Sequence, residues 1–192
     1  VNYSFYLGAT NHNLEEIKNV NPNNVCGVKI FMGSSTGDML VDQPHALEGL
    51  FAHCPILIAT HCENETRVKS RFADAVATFG ESIPPNQHPI IRDAEACYLS
   101  SSKAIALAKK TGARLHVFHL STAKEMSLFD NSIPLEDKQI TAEVCVHHLW
   151  FSDEDYKRQE AFYKMRKLPF NEINLISEEE IDEFIRELKA VL

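Results

Sequence analysis

Paired cysteines are missing from this sequence: its five cysteines (Cys26, Cys54, Cys62, Cys97, Cys145) are odd in number and none stands in a Cys-x-x-Cys spacing. That argues against a disulfide-dense secreted scaffold and a cysteine-pair metal module, and it predicts reduced, buried thiols in a cytoplasmic protein. No apolar run is long enough to span a bilayer and no signal peptide opens the chain, so a membrane protein is not expected. Clustered positive charge is scarce too. Nineteen Lys and Arg stand against 27 Asp and Glu, for a net charge of −8, which speaks against nucleic acid or an anionic membrane surface as partner. Internal repeats and low-complexity segments are missing as well. What remains is ordinary: 44% hydrophobic and 24% charged residues in 192, enough chain for one sizeable core.

The apolar runs alternate with helical patterns. Residues 2–8 read as a strand, 13–20 as a short helix capped by Asn13, and 25–33 as a second strand. Residues 43–53 have helical spacing, 55–63 read as a third strand, and 64–79 as a charged helix with an apolar stripe. A Pro-rich loop at 83–89 leads into a long helix over 92–110. A fourth strand ends at His119, a short helix spans 123–129, a fifth strand covers 140–150, and Ser152 opens another helix. Five strands alternating with helices predict an α/β fold with a parallel sheet, its strands near-continuously apolar because both faces are covered.

One residue breaks the apolar pattern. Lys29 sits inside the second strand, where an unpaired ammonium is costly to bury, so it needs a partner, a route to solvent, or a change that removes its charge. His61, His119 and His147 fall near the C-terminal ends of other strands, where α/β folds gather functional groups. Imidazole nitrogen suits zinc. A lysine ammonium does not ligate a cation, but its reaction with carbon dioxide would give a carboxylate able to bridge two metal ions, which together activate hydroxide and polarise a carbonyl. Plainer readings stand beside these. Lys29 could reach solvent past the strand end, and His61 and His119 could be hydrogen-bonded core histidines. His116 reads as structural, on the opposite face of its strand. Glu63 and Glu143 beside the site read as solvated or salt-bridged, His147 and His148 as packing or as holding a ligand. The turn 33–37 reads as a loop lining a pocket, like Ser121 and Thr122, since it lacks the lysine and spacing of a P-loop.

The motifs Gly27-Val-Lys-Ile-Phe-Met-Gly, Ala59-Thr-His-Cys-Glu, Val117-Phe-His-Leu-Ser-Thr and Ala142-Glu-Val-Cys-Val-His-His-Leu resemble dihydroorotase. The resemblance is to the bacterial branch of that family within the cyclic amidohydrolases, beside dihydropyrimidinase and allantoinase, and it covers about residues 1–168. It implies a (β/α)8 barrel of the metal-dependent amidohydrolase type with two zinc ions. It also implies interconversion of dihydroorotate and N-carbamoyl-L-aspartate in pyrimidine biosynthesis. Lys29 matches the carboxylated bridging lysine, and His61 and His119 match metal-binding histidines ending the fifth and sixth barrel strands. Glu63, Ser121 and His147 are then candidates for touching the substrate or supporting the ligands.

Other family features have no counterpart here. The first-strand His-x-His pair, the carboxylate-gripping arginine and asparagine, and the eighth-strand aspartate that serves as general base are not identified in the sequence. The expectation is therefore a partial barrel, strands three to seven, over residues 1–169, followed by a C-terminal amphipathic helix in 170–192 that begins with a Ser177/Glu180 capping box. No catalytic base is assigned; with the His-x-His pair missing, Lys29 is expected to be unmodified and zinc partial or absent in this chain, which alone is expected to be inactive. A non-catalytic assembly partner and a rearranged or designed scaffold remain as alternatives. Open sheet edges imply a self-associating or homo-oligomeric chain, and the substrate is a small molecule.

Overall fold

A computed structural model describes residues 3–35, 37–153 and 155–156. The apolar runs each yield a short strand: β1 (Tyr6–Gly8), β2 (Gly27–Phe31), β3 (Ile58–His61), β4 (Leu115–Val117) and β5 (Ile140–Ala142). They form one sheet in sequence order, with every neighbouring pair parallel. Between them lie helices α1 (Leu14–Lys18), α2 (Pro44–His53), α3 (Glu65–Phe79), α4 (His88–Ile91) and α5 (Ala94–Thr111), with α6 (Ala123–Met126) following β4. Parallel strands paired in sequence order and joined through helices form part of a (β/α)8 barrel.

Strand register sorts the side chains. Val28, Ile58 and Leu115 align in one row, and Ile30, Thr60 and Val117 in another. All six are buried, packed with Ile17 of α1, Leu47, Leu50 and Phe51 of α2, and Ala104, Ile105 and Ala108 of α5. Because side chains alternate along a strand, the intervening row of Gly8, Lys29, Ala59, His116 and Thr141 points the other way. Helices thus cover one face among the described residues. The second face is the one a barrel turns towards its own axis.

Two of the helices start on side-chain caps. Asn64 Oδ1 accepts from the Arg67 N–H of α3 at 2.9 Å, and Asp93 Oδ1 accepts from the Ala96 N–H of α5 at 3.0 Å. Asn13 does not cap α1. Its amide accepts from the Thr10 N–H and donates to the Gly8 carbonyl instead, tying the end of β1 to the helix start. α5 ends at Gly112, whose φ of 77° lies where glycine is at ease.

Two further expectations change. The fifth strand stops at Ala142, and Val146–Leu149 forms a 3₁₀ turn. Cys26 is exposed and Cys54 and Cys145 partly so, leaving Cys62 and Cys97 as the buried thiols. All five are free. No helix among the described residues is long and apolar enough to cross a membrane. The helix expected within 170–192 lies outside the described residues.

Candidate metal centre

Lys29 lies in the middle of β2 on the face turned away from the helices. Its Nζ stands 4.1 Å from the Phe118 ring centre and 4.8 Å from that of Phe31, and it is buried with no hydrogen-bond partner among the described residues. The tip does not reach solvent, so that alternative falls. Burial lowers its pKa to about 8, against the opposing pull of Cys62 and Glu143. The rings offer a cation some attraction, but no acceptor.

His61 ends β3, opposite Phe31 in the ladder. Its Nε2 lies 3.0 Å from Glu63 Oε2 and its Nδ1 3.0 Å from His119 Nε2. His119 follows β4 by two residues. A regular strand would send it to the face of Val117, but its φ of 41° breaks the alternation, and this left-handed turn accompanies the meeting of the two rings. Burial, then the neighbouring His61 and Lys29, pulls His119 down to about 4.

Glu63 is fully buried, so the solvated reading of this residue is overturned. Arg92 Nη1 donates to its Oε2 at 2.6 Å, and Arg92 Nη2 donates to Ser34 Oγ at 2.5 Å. Burial opposes ionisation of Glu63, yet the His61 bond and the Arg92 charge outweigh it and hold the carboxyl at about 2. An ionised Glu63 keeps a proton on His61 Nε2, which leaves the lone pair on Nδ1. Gly33 permits this packing: a Cβ there would sit 2.4 Å from the Glu63 carbonyl oxygen. Arg92 and Ser34 escaped the sequence reading because 29 and 58 residues separate the members of their pairs; the buried carboxylate's need for a counter-charge was the available signal.

Among the other candidates His148 comes near, its ring edge-on to that of His119 with centres 6.4 Å apart. Ser121 is buried, and Thr122 donates to Glu125. His147 is exposed, in the 3₁₀ turn rather than at a strand end, while His148 is buried beside the Leu120 carbonyl. His116 shares the row of Lys29, a correction to the opposite-face reading, and bonds Thr141 at 2.8 Å with Glu143 3.4 Å away.

The residues fit a zinc ion. Two imidazole nitrogens converge within 3.0 Å, a carboxylate holds one ring from behind as in many zinc sites, and Lys29 Nζ and Glu63 Oε1 are buried without partners among the described residues. Lys29 adds an oxygen donor only if carboxylated.

No family model matches the chain. Allantoinase of Deinococcus radiodurans is 29% identical over 174 residues, covering 85% of this chain and 37% of the allantoinase. Dihydroorotase of the same organism is 46% identical over 55 residues, 29% of this chain and 13% of that enzyme. The L-hydantoinase (dihydropyrimidinase) of Arthrobacter aurescens superposes with a TM-score of 0.82 at 21% identity, over 99% of this chain and 41% of that one. The chain therefore spans a little over a third of the length of the allantoinases it matches. The likeness is broader than to dihydroorotase: by sequence the chain is similar to allantoinase as well as dihydroorotase, and by fold to hydantoinase.

Proposed function

We propose that the chain carries the lysine-and-two-histidine side of a zinc centre in a dihydroorotase, interconverting dihydroorotate and N-carbamoyl-L-aspartate in pyrimidine biosynthesis. The observation behind this is the convergence of His61 Nδ1 and His119 Nε2 at 3.0 Å on the face that also carries the buried, unpartnered Lys29 amine. With a pKa of about 8, about one Lys29 in ten is neutral at pH 7. A neutral Lys29 nitrogen would take up carbon dioxide, its proton passing to water, and the resulting carbamate would offer oxygen ligands. His61 and His119 would hold a metal through Nδ1 and Nε2 once the proton shared between those atoms has left. Glu63, fixed by Arg92, keeps His61 in the tautomer that presents Nδ1. The bound metal supplies Lewis acidity towards the amide carbonyl and lowers the pKa of water. The partner is a small cyclic amide.

Allantoin hydrolysis is the second reading, favoured by the 85% coverage of the chain in its alignment with an allantoinase. No His-x-His pair stands in the sequence. Loss of one acid–base group costs about 10²–10⁴-fold, so this chain alone should show no measurable turnover even with zinc. The decisive assay uses a chimera in which residues 1–153 replace the matching part of the Deinococcus dihydroorotase. It should open dihydroorotate, and Lys29→Ala or His61→Ala should reduce the rate by more than about 100-fold. Preference for allantoin would install the second reading. A folded, zinc-loaded chimera that opens neither ring would overturn both and leave the non-catalytic alternative.

A further inference from the structure

A separate set of metal-ligating atoms lies just past β5. Cys145, His147 and His148 each place one ligand atom within 4.8 Å of the other two. They are three of four consecutive residues at the entrance to the 3₁₀ turn Val146–Leu149, so the local backbone alone brings them together. His148 is 3% exposed, and its Nδ1 lies 3.3 Å from the Leu120 carbonyl oxygen. Donation to that carbonyl leaves the lone pair on Nε2, the arrangement by which zinc-binding histidines are commonly oriented. The His147 ring packs edge-on against that of His148, with centres 4.3 Å apart, and His147 is exposed, so its ring is free to adjust and the site opens to solvent.

We propose that Cys145, His147 and His148 form a second metal site, for a thiophilic divalent cation of the zinc class, with a fourth position left to water. Ligand atoms of a tetrahedral zinc stand about 3.5 Å apart, given its bond lengths. Closing from 4.8 Å requires an adjustment of about an ångström, within reach of an exposed histidine rotamer. One thiolate and two imidazoles favour zinc or cobalt over magnesium and calcium, which take oxygen ligands. The site needs no residue of the Lys29 centre, although the His148 ring lies edge-on to that of His119 with centres 6.4 Å apart, and the proposal does not rest on the amidohydrolase reading.

Cobalt(II) is the probe, since a thiolate ligand produces a sulfur-to-cobalt charge-transfer band, and Cys62, the thiol beside the Lys29 centre, is buried with its pKa pushed up to about 11. The full chain titrated with cobalt should develop this band, zinc should bleach it, and His61→Ala should keep it. Cys145→Ser should abolish it and His148→Ala weaken it. Alkylation of Cys145, followed by mass spectrometry on the parent chain, gives a measurement that needs no variant. The rate should fall about tenfold at a zinc concentration ten times the Kd. Cys26, exposed and at the opposite end of the parallel strands, should react unchanged. No charge-transfer band in the parent, a band that survives Cys145→Ser, or alkylation of Cys145 indifferent to zinc would each overturn the proposal.

Discussion

Glu125 holds a carboxyl group almost entirely out of water, with Ser101 Oγ donating to Oε1 at 2.5 Å and Thr122 Oγ1 to Oε2 at 2.8 Å. Burial outweighs those bonds and lifts its pKa to about 7. The folded state therefore binds its proton more tightly than the unfolded chain does. That contribution is fully present below about pH 4.5 and is lost as pH rises through about 7, on the order of 3 kcal/mol in all. Glu125→Gln should remove it: the stability of the parent minus that of the variant, from urea denaturation, should fall as pH rises from 5 to 8. A flat difference would mean that the carboxyl is not held this way. Thr122-x-x-Glu125 has the spacing of a capping box, so the sequence contained a signal, but the two side chains bond to each other instead. Lys29 was legible because one charge interrupts an apolar run. The left-handed turn at His119 was not, since nothing in a histidine announces a φ of 41°.

Helices α3 and α5 are joined through their starts. Asp93 caps α5 and also accepts from Arg67 Nε at 2.8 Å and Nη2 at 2.5 Å, with Arg71 3.2 Å away. Asn64 caps α3 alone. Asn64→Ala should cost about 1 kcal/mol, and Asp93→Ala about 2 kcal/mol, because the charge-assisted pair is lost with the cap. Asp93→Asn, which keeps a capping oxygen, should fall between them, and chemical denaturation of the three variants checks the order. These caps went unread, since 64–79 and 92–110 counted Asn64 and Asp93 within their helices and the one cap expected, Asn13, does not cap α1; element order followed from the alternation of patterns. Strand length was not. The apolar run over 140–150 continues well past Ala142, but the chain leaves the ladder and closes a 3₁₀ turn, which hydrophobicity does not distinguish from a strand.

For the molecule as a whole, β1 and β5 each have one paired side among the described residues, and large apolar side chains stand beside both: Tyr3 and Phe5 before β1, Val146 and Trp150 after β5. Unpaired edges with exposed apolar neighbours template further pairing. We expect self-association at micromolar concentration, reduced by Phe5→Lys; sedimentation velocity showing a clean monomer for the parent would count against it. The parallel sheet was legible from alternation and the barrel from the family resemblance, whereas which rows face the helices depends on register, which no single strand encodes. Sequence-order pairing, running from Leu7 opposite Val28 to Leu115 opposite Ile140, has a further consequence. A sheet built this way is divisible: separating it between two units severs one ladder and leaves the others whole, much as in a repeat array. Strand–helix steps can thus be exchanged between relatives as blocks, with the ligand set divided wherever the join falls. Lys29, His61 and His119 ride on three successive steps, so any block that carries β2 to the turn after β4 carries all three together.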